Sequence, residues 1–209
     1  MKDIKWKEKY NKDLKNIFGE ELDDKKLEYL EDAFNCIEKL WWRNFDKIKK
    51  PIKYIMISEA PLYGEKFQYF YNTKTIFKSF FRFTDIVDVF DKKEKKGDNI
   101  IKDKEFVIET LNENGFVILD LFPFAFNKND TGEINYNKIS KINIKKLFEL
   151  SYEIVLKEKL ETILENGNKP IFFFRYKRLK DKLGLELLEK LKIQLSDIKE
   201  DDIKCVSFR

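Results

Sequence analysis

FVILDLF, Phe116 to Phe122, carries six apolar residues around one carboxylate and is bounded by Asn114-Gly115 before it and Pro123 after it. An unbroken apolar run of this length, closed off by turn residues, reads as a strand buried on both faces. Such strands belong to parallel sheets covered by helices, so the segments on either side are expected to be helical. Upstream, Asp103 to Glu113 has a helical pattern that stops at Asn114-Gly115. Downstream, a long polar connection, PFAFNKNDTGEINYNK, leads into a helix from Ile139 to Glu165, closed by Asn166-Gly167-Asn168.

The same alternation extends in both directions. KYIMIS (Lys53 to Ser58) reads as an earlier buried strand, and Thr73 to Phe81 as a helix with Thr73 at its N-cap. PIFFF (Pro170 to Phe174) is a third strand, followed by the basic helix RYKRLKDKLGLELLEKLKIQL. IKCVSF (Ile203 to Phe208) is a fourth. Before them, Leu27, Leu30, Phe34, Ile37, Leu40, Trp41, Phe45 and Ile48 recur every three or four residues, which predicts a helix of roughly 25 residues opened by Asp23-Asp24 and stopped by Pro51. Trp41 belongs to its buried face and Trp42 to its surface. The expected architecture is a three-layer α/β/α sandwich around a central, mainly parallel four-stranded sheet with right-handed crossovers. Residues 1–50 form an N-terminal helical arm and residues 51–209 the core, together one α/β domain.

Composition narrows the chemistry. The 209 residues include 43% hydrophobic positions and 20 Phe, enough for a substantial core, and a net charge of +4 that permits nucleic-acid binding without requiring it. The chain has no histidine, which excludes Ser-His and Cys-His catalysis and any histidine-ligated metal. Cys36 and Cys205 stand far apart and suit neither a disulfide framework nor a zinc site. No apolar leader or bilayer-length run is found, so no membrane partner and a cytoplasmic location are expected. DKKEKKGDN (Asp91 to Asn99) reads as a solvated charge run.

Ligands of parallel α/β sheets bind outside the carboxyl ends of the strands. That rule picks out the loop Ser58 to Asn72, the loop Leu121 to Lys138, the segment Arg175 to Arg178 and the tail Ser207 to Arg209. Together they offer carboxylates (Glu59, Asp120), rings (Phe70, Tyr71 and neighbours), the amide of Asn72, and cations (Arg175, Lys177, Arg178) at a helix start. Rings stack on bases, carboxylates meet amino groups or a developing cation, and Arg or Lys holds phosphate. Each feature also has a plainer use: rings near a strand end fill cores, Glu59 can cap its loop, and Arg175 to Arg178 can form a solvated first turn. Asp120 within VILDLF is different, because an ionised carboxylate there needs a partner or a task.

ISEAP (Ile57 to Pro61), the aromatic-Asn stretch after it, and VILDLFP (Val117 to Pro123) resemble motifs of the uracil-DNA glycosylase superfamily, and the helix, strand, loop, helix order matches from about Pro51 onward. The resemblance implies that Glu59 takes the place of the family's Glu or Gln, and that its carboxylate is the catalytic group here. It further implies that Phe70 or Tyr71 stacks on a flipped base, with Asn72 beside them, and that Asp120 stands where many members read the base with Asn. Ala60 occupies a position where some members hold a catalytic Asp, and the family's histidine motif has no counterpart. An ionised Asp accepts hydrogen bonds and donates none, so it favours a base presenting N–H or amino groups over uracil. Two cysteines cannot supply the four ligands of the cluster-bearing members, so no cofactor is expected.

Three functions fit this reading. The first is a protein that binds, and excises, a nucleobase in DNA. The second is a nucleic-acid or protein-interaction module on the same fold without catalysis. The third is a Mg²⁺-dependent phosphoryl-transfer enzyme using Glu59, Asp120 and Asp130. The partner in the leading reading is DNA or a nucleobase or nucleotide ligand.

Overall fold

A computed structural model of the chain describes residues 6–19, 22–75, 104–165 and 168–205. Two helices, α1 (Trp6–Phe18) and α2 (Asp24–Phe45), precede β1 (Tyr54–Ser58). Then come α3 (Lys104–Glu113), β2 (Phe116–Asp120), the short α4 (Lys128–Thr131) and a 3₁₀ turn (Tyr136–Lys138). Helices α5 (Lys141–Ser151) and α6 (Lys157–Leu164), joined by a π-helical turn (Tyr152–Leu156), lead to β3 (Ile171–Phe174), α7 (Lys177–Lys192) and β4 (Ile203–Cys205). The expected helix beyond Thr75, the charge run Asp91 to Asn99 and the residues after Cys205 lie outside the described residues.

The four strands form one parallel sheet in the order β2-β1-β3-β4. Successive strand residues point to opposite faces, and Ile55, Met56, Ile57 and Ser58 are all buried, as are Phe116 through Leu119. Both faces are therefore covered, and the α/β sandwich follows from the apolar runs. The chain steps from β1 to β2 on one side and then back across β1 to β3, so the direction reverses between β1 and β3. In sheets of this kind ligands bind beside such a reversal, outside the carboxyl ends of the strands.

Local chemistry explains the boundaries. Asp23 caps α2, its carboxylate accepting from the Lys26 N–H at 2.8 Å. Gly115 has φ +68° and ends α3; a Cβ there would lie 2.8 Å from the Pro51 carbonyl oxygen, so only glycine fits between helix and strand. The expected helix from Ile139 to Glu165 is split by the π turn, which leaves its apolar spacing in place.

The helical arm is part of the core. Leu27, Leu30, Phe34, Ile37, Trp41 and Phe45 of α2 join the same cluster as the strand residues. Trp42 is partly buried, edge-on to Trp41 and Phe45. Asn44 and Asn112 exchange two amide hydrogen bonds, of 3.0 and 2.9 Å, tying α2 to α3. Lys159 of α6 donates to Glu38 of α2 at 2.5 Å, both residues buried. The indole N–H of Trp41 donates to the Ile118 carbonyl of β2 at 2.9 Å, closing part of the outer edge of that strand.

Candidate functional site

Strand register builds the site before any side chain is considered. Ser58 lies opposite Asp120, and Ile57 opposite Phe174, so β1, β2 and β3 end level with one another. The ladders continue past the strands. Leu121 N–H donates to the Ser58 carbonyl at 3.0 Å and Phe122 N–H to that of Glu59 at 2.9 Å, while Arg175 N–H donates to Ile57 at 2.9 Å. Glu59, Asp120 and Arg175 are thus fixed at one sheet edge by backbone bonds.

The loops after β1 and β2 are also joined. Leu62 and Gln68 exchange backbone hydrogen bonds, Lys128 N–H reaches the Gly64 carbonyl at 2.9 Å, and the Tyr63 hydroxyl donates to Gly132 at 2.8 Å. The expectation that these loops converge is met in the backbone. Asn127, fully buried, holds the second loop by capping α4 and donating to Tyr29 and Ala125.

Glu59 carries the clearest functional geometry. Its side chain is 14% exposed, and Oε2 accepts from Arg178 Nη2 at 2.7 Å. Nη1 of the same guanidinium donates to Asn137 Oδ1 at 2.8 Å. Burial raises the proton affinity of Glu59, and the charges of Arg178 and Lys182 oppose it. The Tyr176 ring lies beneath two cations, 5.0 Å from the Arg175 guanidinium carbon and 5.6 Å from that of Arg178.

Asp120 sits at the second strand end. Burial pushes its carboxyl up to about 6, against a hydrogen bond from Ser58 and the positive charges of Lys159 and Arg175. Glu38 adds a further upward push. A carboxyl poised there exchanges protons near neutrality, which an ordinary aspartate does not. Two carboxyl groups whose environments both favour protonation, with two arginines between α7 and the sheet, can position water, accept or return a proton, and stabilise positive charge.

The aromatic residues of the first loop are used differently from the sequence expectation. Phe70 and Tyr71 are 2% and 5% exposed and pack edge to face, ring centroids 5.1 Å apart. The Tyr71 hydroxyl accepts the Ile118 N–H at 2.8 Å, so this ring completes the edge of β2. Asn72 forms a turn, its Oδ1 accepting from Lys74 N–H at 3.1 Å. The buried amine of Lys104 donates to the Tyr69 and Asn72 carbonyls and to the Thr75 hydroxyl, and burial lowers it to about 8. Phe122, Phe124 and Phe126 are core as well, with Tyr136 stacked on Phe122 at 5.0 Å. Their shared physical reason is area: a ring beside a strand end gains more by leaving water than by lining an open surface.

Of the residues picked from sequence, Glu59 and Arg178 are brought into contact and Asp120 joins them at the same edge; Arg175 is also there but buried, so of the three cations only Lys177 and Arg178, at the start of α7, are exposed. Phe70, Tyr71 and Asn72 form a packed layer beside β2. Among the described residues no group of three Asp, Glu or Cys side chains is placed to hold a metal ion. Sequence reasoning missed Asn137, which comes from a 3₁₀ turn whose only sequence signal is the capping Asn135. It also missed the Glu38–Lys159 pair, hidden in two ordinary helical patterns. Searches against protein families, curated proteins and solved structures returned no match to this chain.

Proposed function

We propose that the chain is a uracil-DNA glycosylase-like protein that takes up a nucleobase of DNA at the carboxyl ends of β1, β2 and β3 and hydrolyses its N-glycosidic bond. The observation that carries this reading is the level ending of the three strands at the topological reversal, with Glu59 and Asp120 on neighbouring strands and Arg175 and Arg178 beside them.

In this account Lys177 and Arg178 receive the phosphates flanking the target nucleotide, while Arg175, 7% exposed, stays within the fold and balances the charge of Asp120. The base leaves the stack and presents its edge to Asp120, whose carboxylate accepts from N–H or amino groups. Glu59 stabilises the oxocarbenium-like sugar and orients water. The bond between C1′ and the base breaks with its electron pair going to the base. The water oxygen bonds to C1′, and its proton passes to the Glu59 carboxylate. The base nitrogen takes a proton from solvent, so that water is split between the sugar and the departing base. Phe70 and Tyr71 serve this site by bracing the strand that carries Asp120.

A second reading, a binding module on the same fold without catalysis, is favoured by one observation: the Glu59 carboxylate is engaged by Arg178, itself held by Asn137. Incubation with oligonucleotides bearing uracil, hypoxanthine, xanthine or no lesion, followed by alkali, separates the two. Strand breaks at one modified base support the glycosylase. Intact strands with measurable oligonucleotide binding support the module, and intact strands without binding contradict both.

A further inference from the structure

The clamp over Glu59 has the form of a gate. A guanidinium offers planar pairs of donors that match carboxylate and phosphate alike. Arg178 spends one arm on Glu59 Oε2 at 2.7 Å and the other on Asn137 Oδ1 at 2.8 Å. Its side chain is 44% exposed while that of Glu59 beneath it is 14% exposed, so the arginine covers the carboxylate and can be reached from solvent. An ion pair open to water on one side is weak. Tyr176 offers the guanidinium a second contact that does not depend on Glu59, its ring lying 5.6 Å from the Arg178 guanidinium carbon.

We infer that Arg178 is a ligand-responsive gate: a phosphate group of a nucleotide ligand takes the guanidinium away from Glu59 and Asn137 and thereby uncovers the Glu59 carboxylate. This rests on reading the strand ends as a nucleotide site, and it adds a residue, Asn137, whose task is to hold the gate shut. The same donors cannot serve the carboxylate and the phosphate fully at once, so ligand binding and the closed clamp compete. Phosphate on the correct ligand then doubles as the signal that exposes the catalytic group, and in its absence Glu59 stays covered. Lys182, whose charge also reaches Glu59, remains behind to balance the uncovered carboxylate.

Competition gives an unusual sign. Asn137→Ala removes an uncharged acceptor that stabilises only the closed gate, so it should tighten phosphate binding about two- to tenfold, the worth of one hydrogen bond. Arg178→Ala should weaken it about tenfold or more, since a charge-assisted contact is lost. Inorganic phosphate, a deoxynucleoside monophosphate and a single-stranded oligonucleotide are titrated calorimetrically into wild type and both variants, with circular dichroism melts confirming that each is folded. Tightening with all three ligands, or with only the free phosphates or only the oligonucleotide, supports the gate and identifies the source of the phosphate. Binding by Asn137→Ala that is unchanged or weaker, unaffected binding by Arg178→Ala, or no binding by wild type overturns it. Absence of base excision together with tighter binding by Asn137→Ala would sink the glycosylase reading and leave the gate standing.

Discussion

Trp41 and Tyr71 grip one residue from two directions: the Trp41 indole donates to the Ile118 carbonyl at 2.9 Å, and the Tyr71 hydroxyl accepts the Ile118 N–H at 2.8 Å. In a parallel strand the N–H and C=O of one residue face the same side, and β2 is an outer strand of the sheet. Both free groups of Ile118 are therefore satisfied by side chains, one from the N-terminal helical arm and one from the loop after β1. This pairing protects the edge against association with another strand. It also fixes the strand whose last residue is Asp120.

Removing either partner leaves a buried backbone group unsatisfied. Tyr71→Phe and Trp41→Phe should each cost about 1–3 kcal/mol, read as a lower urea midpoint with an unchanged slope. A Tyr71→Phe protein as stable as wild type would contradict the structural role assigned to that ring.

Asp120 gives stability a specific pH dependence. Its folded value of about 6 lies above the ordinary value of about 3.9. Between those pH values the native state holds a proton that the unfolded chain has released, so this group's contribution to stability falls as pH rises from about 4 to 6. Asp120→Asn should be more stable than wild type at pH 7.5, by on the order of 1–3 kcal/mol, and the gain should vanish below pH 4. Urea unfolding at both pH values reads it. An equal effect of the substitution at both would contradict the assignment.

The buried Glu38–Lys159 pair links α2 to α6, with the Lys159 amine also 4.5 Å from the Trp41 ring centroid. Removing one charge strands the other, so Lys159→Met should cost about 3–5 kcal/mol. The double change Glu38→Met, Lys159→Met should recover most of that loss, because the desolvation cost of both ions disappears. A double-mutant cycle in urea measures it, and strictly additive losses would contradict the coupling.

Most of the fold was legible because its signals are local. FVILD and YIMIS are apolar at every position but their polar ends, Asp23 caps α2 where the sequence calls for a cap, and Gly115 stops α3 where only glycine fits. The positions of Glu59 and Arg178 at one edge followed from strand order. The use of Phe70 and Tyr71 did not, because a ring that fills the core and a ring that walls a cavity leave the same mark in sequence. The π turn at Tyr152–Leu156 was hidden because its residues keep an apolar helical spacing. Asn137 was invisible for a different reason: its partner is 41 residues away and its own segment has no periodicity.

The central claim is that Glu59 acts on an N-glycosidic bond. Single-turnover excision on the four-oligonucleotide panel, wild type against Glu59→Gln, tests it most directly. The account predicts alkali-labile breaks at one modified base, with a rate lower by about 10²-fold or more in the variant, as for loss of a group that stabilises developing charge. Breaks formed equally fast by Glu59→Gln, or no breaks at any base with enzyme in excess, would contradict it.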